Sequence, residues 1–129
     1  MRTNLLLVAV LLLLIAGGCE RYSNEGSYAN VARITGGGDP KSGKELIRRY
    51  GCQGCHSIPG IRDANGVVGP PLDHLSKRVY LAGELPNTVE NLMRWIQHPH
   101  QIHPHTAMPE MGVSDHDARD ISAYLYTLK

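Results

Sequence analysis

Cys52-Gln53-Gly54-Cys55-His56 sets two thiols three positions apart with an imidazole directly after them. Further along, the segment from His98 to Met111 packs four histidines and two methionines into fourteen residues. Thiolate, imidazole and thioether sulfur are all metal ligands, so both stretches are candidates for metal chemistry.

Four chemistries fit the first stretch. A thioredoxin-like dithiol needs a βαβ context, and no strand pattern is convincing here. A structural zinc needs four ligands, which Cys52, Cys55 and two histidines of 98–105 supply only on paper. A disulfide suits an oxidising compartment, but so short a loop gains little from one. The spacing also matches the attachment pattern of c-type haem. Two thiols so placed reach the two vinyl groups on one porphyrin edge and form thioethers, and the next residue projects its imidazole at the iron. This last reading is the one adopted.

Three helices are expected to position these groups. Asp39-Pro40 reads as an N-cap followed by proline at the first helical position, opening a helix to about Tyr50 with Gly51 as its stop. A second fits about 88–98, capped by Asn87 or Thr88, with Leu92, Trp95 and Ile96 on its apolar face and Pro99 barring its continuation. A third starts at Ser114, where Ser114-x-x-Asp117 resembles a capping box. Ala118, Ile121, Tyr124, Leu125 and Leu128 form its stripe. Gly, Pro and Asn dominate 57–71 and 83–87 as in long loops. Phenylalanine is absent from the chain. Three helices with such loops leave a thin core, which a large apolar cofactor would fill.

The 129-residue chain allows one small domain. Its first 18 residues hold one arginine, an apolar run from Leu5 to Ala16 and a Gly-Gly pair, and they read as an export signal. The run is shorter than the roughly 20 residues that span a bilayer. Cys19 directly after Gly17-Gly18 resembles the lipid-receiving cysteine of a bacterial lipoprotein, although Ala16 stands where that family usually has leucine. A cleaved signal with a spare thiol and a short uncleaved anchor are the alternatives. Each puts Cys52 and Cys55 outside the cytoplasm, facing the periplasm or the cell exterior. Removal of 1–18 takes Arg2 from the 13 basic residues, leaving 12 against 12 acidic ones and no formal charge. That balance argues against a nucleic-acid partner. Residues 19–38, polar and ending Gly36-Gly37-Gly38, read as a lipid-anchored flexible tether with a reach of about 25 Å. The folded domain is expected at 39–129.

Further residues follow the haem motif in a recognisable order: Gly69-Pro70-Pro71-Leu72, Arg78, Leu92-Met93-Arg94-Trp95-Ile96, then Pro99, Pro104, Thr106 and Met108. Across essentially all of 39–129 this order resembles the class I cytochrome c family. It is most similar to the haem c domains fused to the copper-bearing subunit of some bacterial terminal oxidases, particularly through Leu85-Pro86-Asn87-Thr88 and Glu90-Asn91-Leu92. The resemblance implies a small all-α fold of three main helices and long loops around one covalent haem. It makes His56 the proximal iron ligand, the Pro70 carbonyl the acceptor of the other ring N–H, and Met108 the distal ligand, with Met111 as the alternative. Leu72 falls beside the cofactor. Arg78 and Thr106 fall near a haem propionate, and Trp95 beside the methionine ligand; a solvated Arg78 and a purely structural Trp95 are the plainer readings. Asn87 replaces a propionate-bonding tryptophan, which puts that contact in doubt. Gly43 and Ile47 should meet Tyr124. The four histidines of 98–105 then flank the haem edge as a polar loop, with a second metal site as the alternative.

The implied function is one-electron transfer on the outer face of a membrane, not catalysis on a small-molecule substrate. Filled axial positions leave no open site at the iron, and a second Cys-x-x-Cys-His is absent from the chain. The expected partners are a membrane oxidase or dehydrogenase complex, with the membrane itself held through lipid on Cys19. Two alternatives stand beside this reading: a ligand or redox sensor in which Met108 dissociates, and a permanent accessory subunit of such a complex.

Overall fold

Asp39 begins the helix that the whole domain is built upon. In the computed structural model, which describes residues 27–129, its carboxylate accepts hydrogen bonds from the amides of Lys41 (3.0 Å) and Ser42 (3.2 Å). Pro40 occupies the first helical position, where a missing N–H costs nothing. The elements in chain order are α1 (residues 27–34), α2 (Pro40–Arg49), α3 (Val89–Gln97), α4 (Pro99–Ile102) and α5 (Asp115–Tyr126). Short 3₁₀ turns occupy Cys52–Gly54 and Leu75–Lys77. One antiparallel ribbon, β1 (Tyr80–Leu81) and β2 (Leu85–Pro86), pairs Tyr80 with Pro86 and Leu81 with Leu85. No described helix is long and apolar enough to cross a membrane.

The other helix starts follow the same capping chemistry. Thr88 caps α3 by accepting from the Asn91 amide at 3.2 Å, and Ser114 caps α5 by accepting from Asp117 at 3.1 Å. Pro99 ends α3 as expected but also opens α4, a single turn. No strand is legible for the short ribbon, whose second strand falls in the 83–87 segment read as loop, since two residues a side cannot show an alternating pattern.

α2 and α5 cross at Gly43. A Cβ there would collide with the carbonyl of Asp120 and lie 3.1 Å from the amide of Ile121. The atoms nearest the glycine belong to Asp120 and Ile121, and Ile47 and Tyr124 share the core cluster. The Tyr124 hydroxyl donates to the Pro59 carbonyl at 2.7 Å and ties α5 to the loop after the cysteines. Gly43→Ala must separate the two helices. Overpacking of this kind costs about 2–3 kcal/mol, and the expected fall in Tm is on the order of 10 °C or more for a domain of this size, read by thermal melting.

Residues 27–38 correct the expected tether. They are not a free linker: 27–34 is helical, and Val31 and Thr35 are buried. Gly38 lies so close to the Arg119 carbonyl and the Ala123 side chain that a Cβ would crowd both. Asp120, itself buried, accepts the Asp39 amide at 2.9 Å and fixes where this segment joins α2. The signal segment, Cys19 and the chain up to Gly26 lie outside the described residues.

The core gathers Leu46 and Ile47 of α2, Leu92 and Ile96 of α3, and Ile121 and Leu125 of α5, with Ile58 and Ile61 from the loop after the cysteines, Leu75 of the second 3₁₀ turn and Leu81 of β1. Gln97 links α3 to α5 by donating to the Asp115 carboxylate at 2.7 Å.

Candidate haem site

The helices do not close on one another. They enclose a cavity of about 590 Å³ whose walls include Ile47, Leu72, Leu81, Leu92, Ile96 and Leu125. This is the size and character of a cofactor site. Every residue that the sequence reading placed at the cofactor lines it: Cys52, Cys55, His56, Pro70, Leu72, Arg78, Trp95, Thr106 and Met108.

Gly51, with φ +75°, stops α2 and turns the chain into the Cys52–Gly54 turn. The amides of Cys55 (3.2 Å) and His56 (3.0 Å) both donate to the Cys52 carbonyl, which brings the two thiols and the imidazole to the cavity together. The cysteines are not bonded to each other. Burial pushes the Cys52 thiol's pKa up.

His56 is held from behind. Its Nδ1 lies 2.7 Å from the Pro70 carbonyl oxygen, which can only accept, so Nδ1 carries the proton and Nε2 is left with a free lone pair. An imidazole so oriented is a more basic metal ligand. Gly69 makes the contact feasible, since any Cβ at this position would collide with the imidazole ring. The Gly69 amide in turn donates to the Cys55 carbonyl at 2.8 Å.

The segment after α4 brings both methionines to the cavity. Met108 is half-buried, and its amide donates to Thr106 Oγ1 at 3.2 Å. Met111 is 40% exposed and precedes Gly112, whose φ is +65°. Trp95 is half-buried on the cavity side of α3. Of the histidines, His103 and His105 line the cavity, whereas His98 ends α3 and His100 lies in α4. Among the described residues no three His, Cys, Asp or Glu side chains are grouped so as to hold a metal ion.

Two features were not legible beforehand. Asn87 does not line the cavity. Its amide donates to the carbonyls of Leu75 (2.8 Å) and Arg78 (2.9 Å), and its oxygen accepts from the Tyr126 hydroxyl at 2.9 Å. It is a clasp behind the ribbon. Tyr50, on the cavity wall, donates to the Asp117 carboxylate at 2.7 Å. That bond holds the Asp117 carboxyl below its ordinary pKa of 3.8 and, with burial second, raises the Tyr50 hydroxyl. A carboxylate with a depressed folded pKa stabilises above its unfolded pKa and loses that contribution as pH falls through the folded value. Tyr50→Phe should therefore lower Tm at neutral pH, with the deficit shrinking below pH 3.8. Thermal melts across that range read the difference.

Helices wrapped around an apolar cavity, with two thiols and a pinned imidazole presented by one segment, define a domain that carries a covalent haem. The chain belongs to the cytochrome c family: the family model described as "Cytochrome c" matches residues 40–129. Its cofactor is haem c, attached through cysteines at the spacing of Cys52 and Cys55, and it is a haem-based electron carrier. The chain is also similar to cytochrome c oxidase subunit 2 of Alkalihalophilus pseudofirmus, with 33% identity over 88 residues. The match covers 67% of this chain and 25% of that protein, so the chain spans about a quarter of the relative's length. No solved structure gives a significant match.

Proposed function

We propose that the protein is a membrane-tethered one-electron carrier with His56 and Met108 as axial ligands. The observation that carries this reading is the pinned His56. Its ring is oriented by Pro70, and Cys52, Cys55 and Met108 line the same cavity. The bound haem supplies an iron that cycles between Fe(III) and Fe(II). His56 offers Nε2 to the metal and keeps its proton on Nδ1. Met108 offers a soft thioether, which favours the reduced iron and raises the potential. Leu72, Leu92 and Ile96 exclude water, and Trp95 closes the cavity on the α3 side. Arg78 and Thr106 would meet the haem carboxylates. With His56 and Met108 both engaged, the residues present would leave the cofactor suited to one-electron exchange rather than to substrate binding.

The likeness to an oxidase subunit 2 supports a membrane oxidase as the partner, met by brief docking across a small interface. Lipid on Cys19 would keep the carrier beside such complexes outside the cytoplasm. The test uses the full chain. The reduced protein should leave its visible spectrum unchanged under carbon monoxide, and the haem should survive acid-acetone extraction. Ready carbon monoxide binding would favour a sensor in which Met108 dissociates. Cys19→Ser should move the protein from membranes to the soluble fraction, because lipid chains alone hold it there. Unchanged membrane retention without an acyl group would refute the lipid anchor.

A further inference from the structure

We infer that Arg78 is a positioning residue for His56, acting through the two prolines between them. The inference rests on His56 being the iron ligand. Pro70 and Pro71 have no N–H, so neither can anchor this stretch by donating a backbone hydrogen bond. The chain is tied on either side of them, by Gly69 donating to the Cys55 carbonyl and Leu72 to the Ser57 carbonyl, each at 2.8 Å. Between those ties the peptide planes are held through their carbonyls. The Pro70 carbonyl faces His56 Nδ1 at 2.7 Å. The Pro71 carbonyl, one peptide further, accepts from Nη2 of Arg78, and the same nitrogen donates to the Asp73 carbonyl at 3.0 Å.

Arg78 is itself well fixed. Its amide donates to Leu75, its carbonyl accepts from Asn87, and Asn87 is held by Tyr126 of α5. A continuous series of hydrogen bonds thus runs from α5 through Asn87, Arg78 and Pro71 to the peptide that orients the imidazole. The planar guanidinium suits this role: one nitrogen serves two carbonyls, and other N–H groups remain for the cofactor. A lysine ammonium keeps the charge, but on a shorter, flexible stem without the planar guanidinium that fixes Nη2 between the two carbonyls.

The two possible jobs of Arg78 predict opposite signs. If it only balances a haem carboxylate, loss of its charge favours Fe(III) and lowers the potential. If it clamps the prolines, loss of the fixed Nη2 lets the Pro70 carbonyl drift from Nδ1–H. The imidazole then donates less strongly, Fe(III) is less stabilised, and the potential rises.

The experiment takes the full-length haem-loaded protein with Arg78→Lys and Arg78→Gln. It reads the midpoint potential and, by proton NMR of the reduced form, solvent exchange of the His56 Nδ1 proton. The expected result is at least tenfold faster exchange in both variants and a raised potential in Arg78→Lys. Unchanged exchange in both overturns the clamp, as does a potential that moves only in Arg78→Gln, and downward. If Arg78→Lys retains no haem, Tyr126→Phe removes only a hydroxyl from the far end of the series and must also speed exchange; no acceleration there overturns the proposal. In the unsubstituted reduced protein the His56 ring protons must carry the large upfield shifts of an iron ligand. Their absence would refute the ligand reading itself, whereas normal shifts with unchanged exchange refute the clamp alone.

Discussion

Met108→Ala is expected to abolish the weak methionine-to-iron charge-transfer band of the oxidised protein and to lower its midpoint potential by on the order of 0.1–0.3 V, within the roughly 0.8 V that axial ligands command. The thioether's preference for Fe(II) is what the substitution removes. Met111→Ala is the internal control, because both sulfurs belong to residues on the cavity wall. Met108 is the better placed of the two. Thr106 fixes its backbone at 3.2 Å, while Met111 is 40% exposed beside a glycine in the left-handed region. Redox titration with near-infrared spectroscopy reads both effects. If Met111→Ala removes the band and Met108→Ala does not, the ligand assignment passes to Met111.

The second large effect concerns the fold rather than the potential. Replacing Cys52 and Cys55 together by alanine removes both thioether attachments. Without haem, the helices surround about 590 Å³ of apolar space. That space opens to solvent, so without the cofactor its apolar walls would stand in water and lose the burial on which a domain held together by only about 5–15 kcal/mol depends. The helices cannot close the gap at Gly43, where α2 and α5 already touch through backbone. The double variant should therefore lose most of its far-ultraviolet circular dichroism at 25 °C and show no cooperative melt. A haem-free variant that still melts cooperatively would mean that the protein side chains alone form the core.

The parts of the molecule that were legible in the sequence depend on near neighbours. The cysteine motif works within five residues. The caps at Asp39, Thr88 and Ser114 act on amides two or three positions on, so their chemistry is visible in a short window. What escaped depends on partners far away in the chain. Val31 lies among Ala29, Ala32 and Ile34 in a mixed stretch ending in three glycines, and its burial could not be read from local pattern. Asn87 could be seen to depart from the tryptophan of related proteins. Its role as a clasp requires Tyr126, 39 residues later. The buried Asp120 resembles a solvated helical charge until the Asp39 amide, 81 residues earlier, is found on it. Gly43 is legible as a close-approach point, but that its nearest neighbour is the backbone of Asp120 requires the register of α5.

α1 alters how far the carrier can roam. A tether running free from Cys19 to Gly38 would have a contour of roughly 65 Å, at about 3.5 Å per residue. With 27–38 part of the folded domain, the lipid proposed on Cys19 would stand no more than eight residue steps from Ser27, a contour of at most about 28 Å. With that anchor, the hemisphere swept would shrink by roughly tenfold, and the encounter frequency with a neighbouring complex would rise in proportion. The same short leash would set a ceiling: a docking patch much farther than this above the bilayer would be out of reach, and α1 would act as a ruler that selects partners by their height.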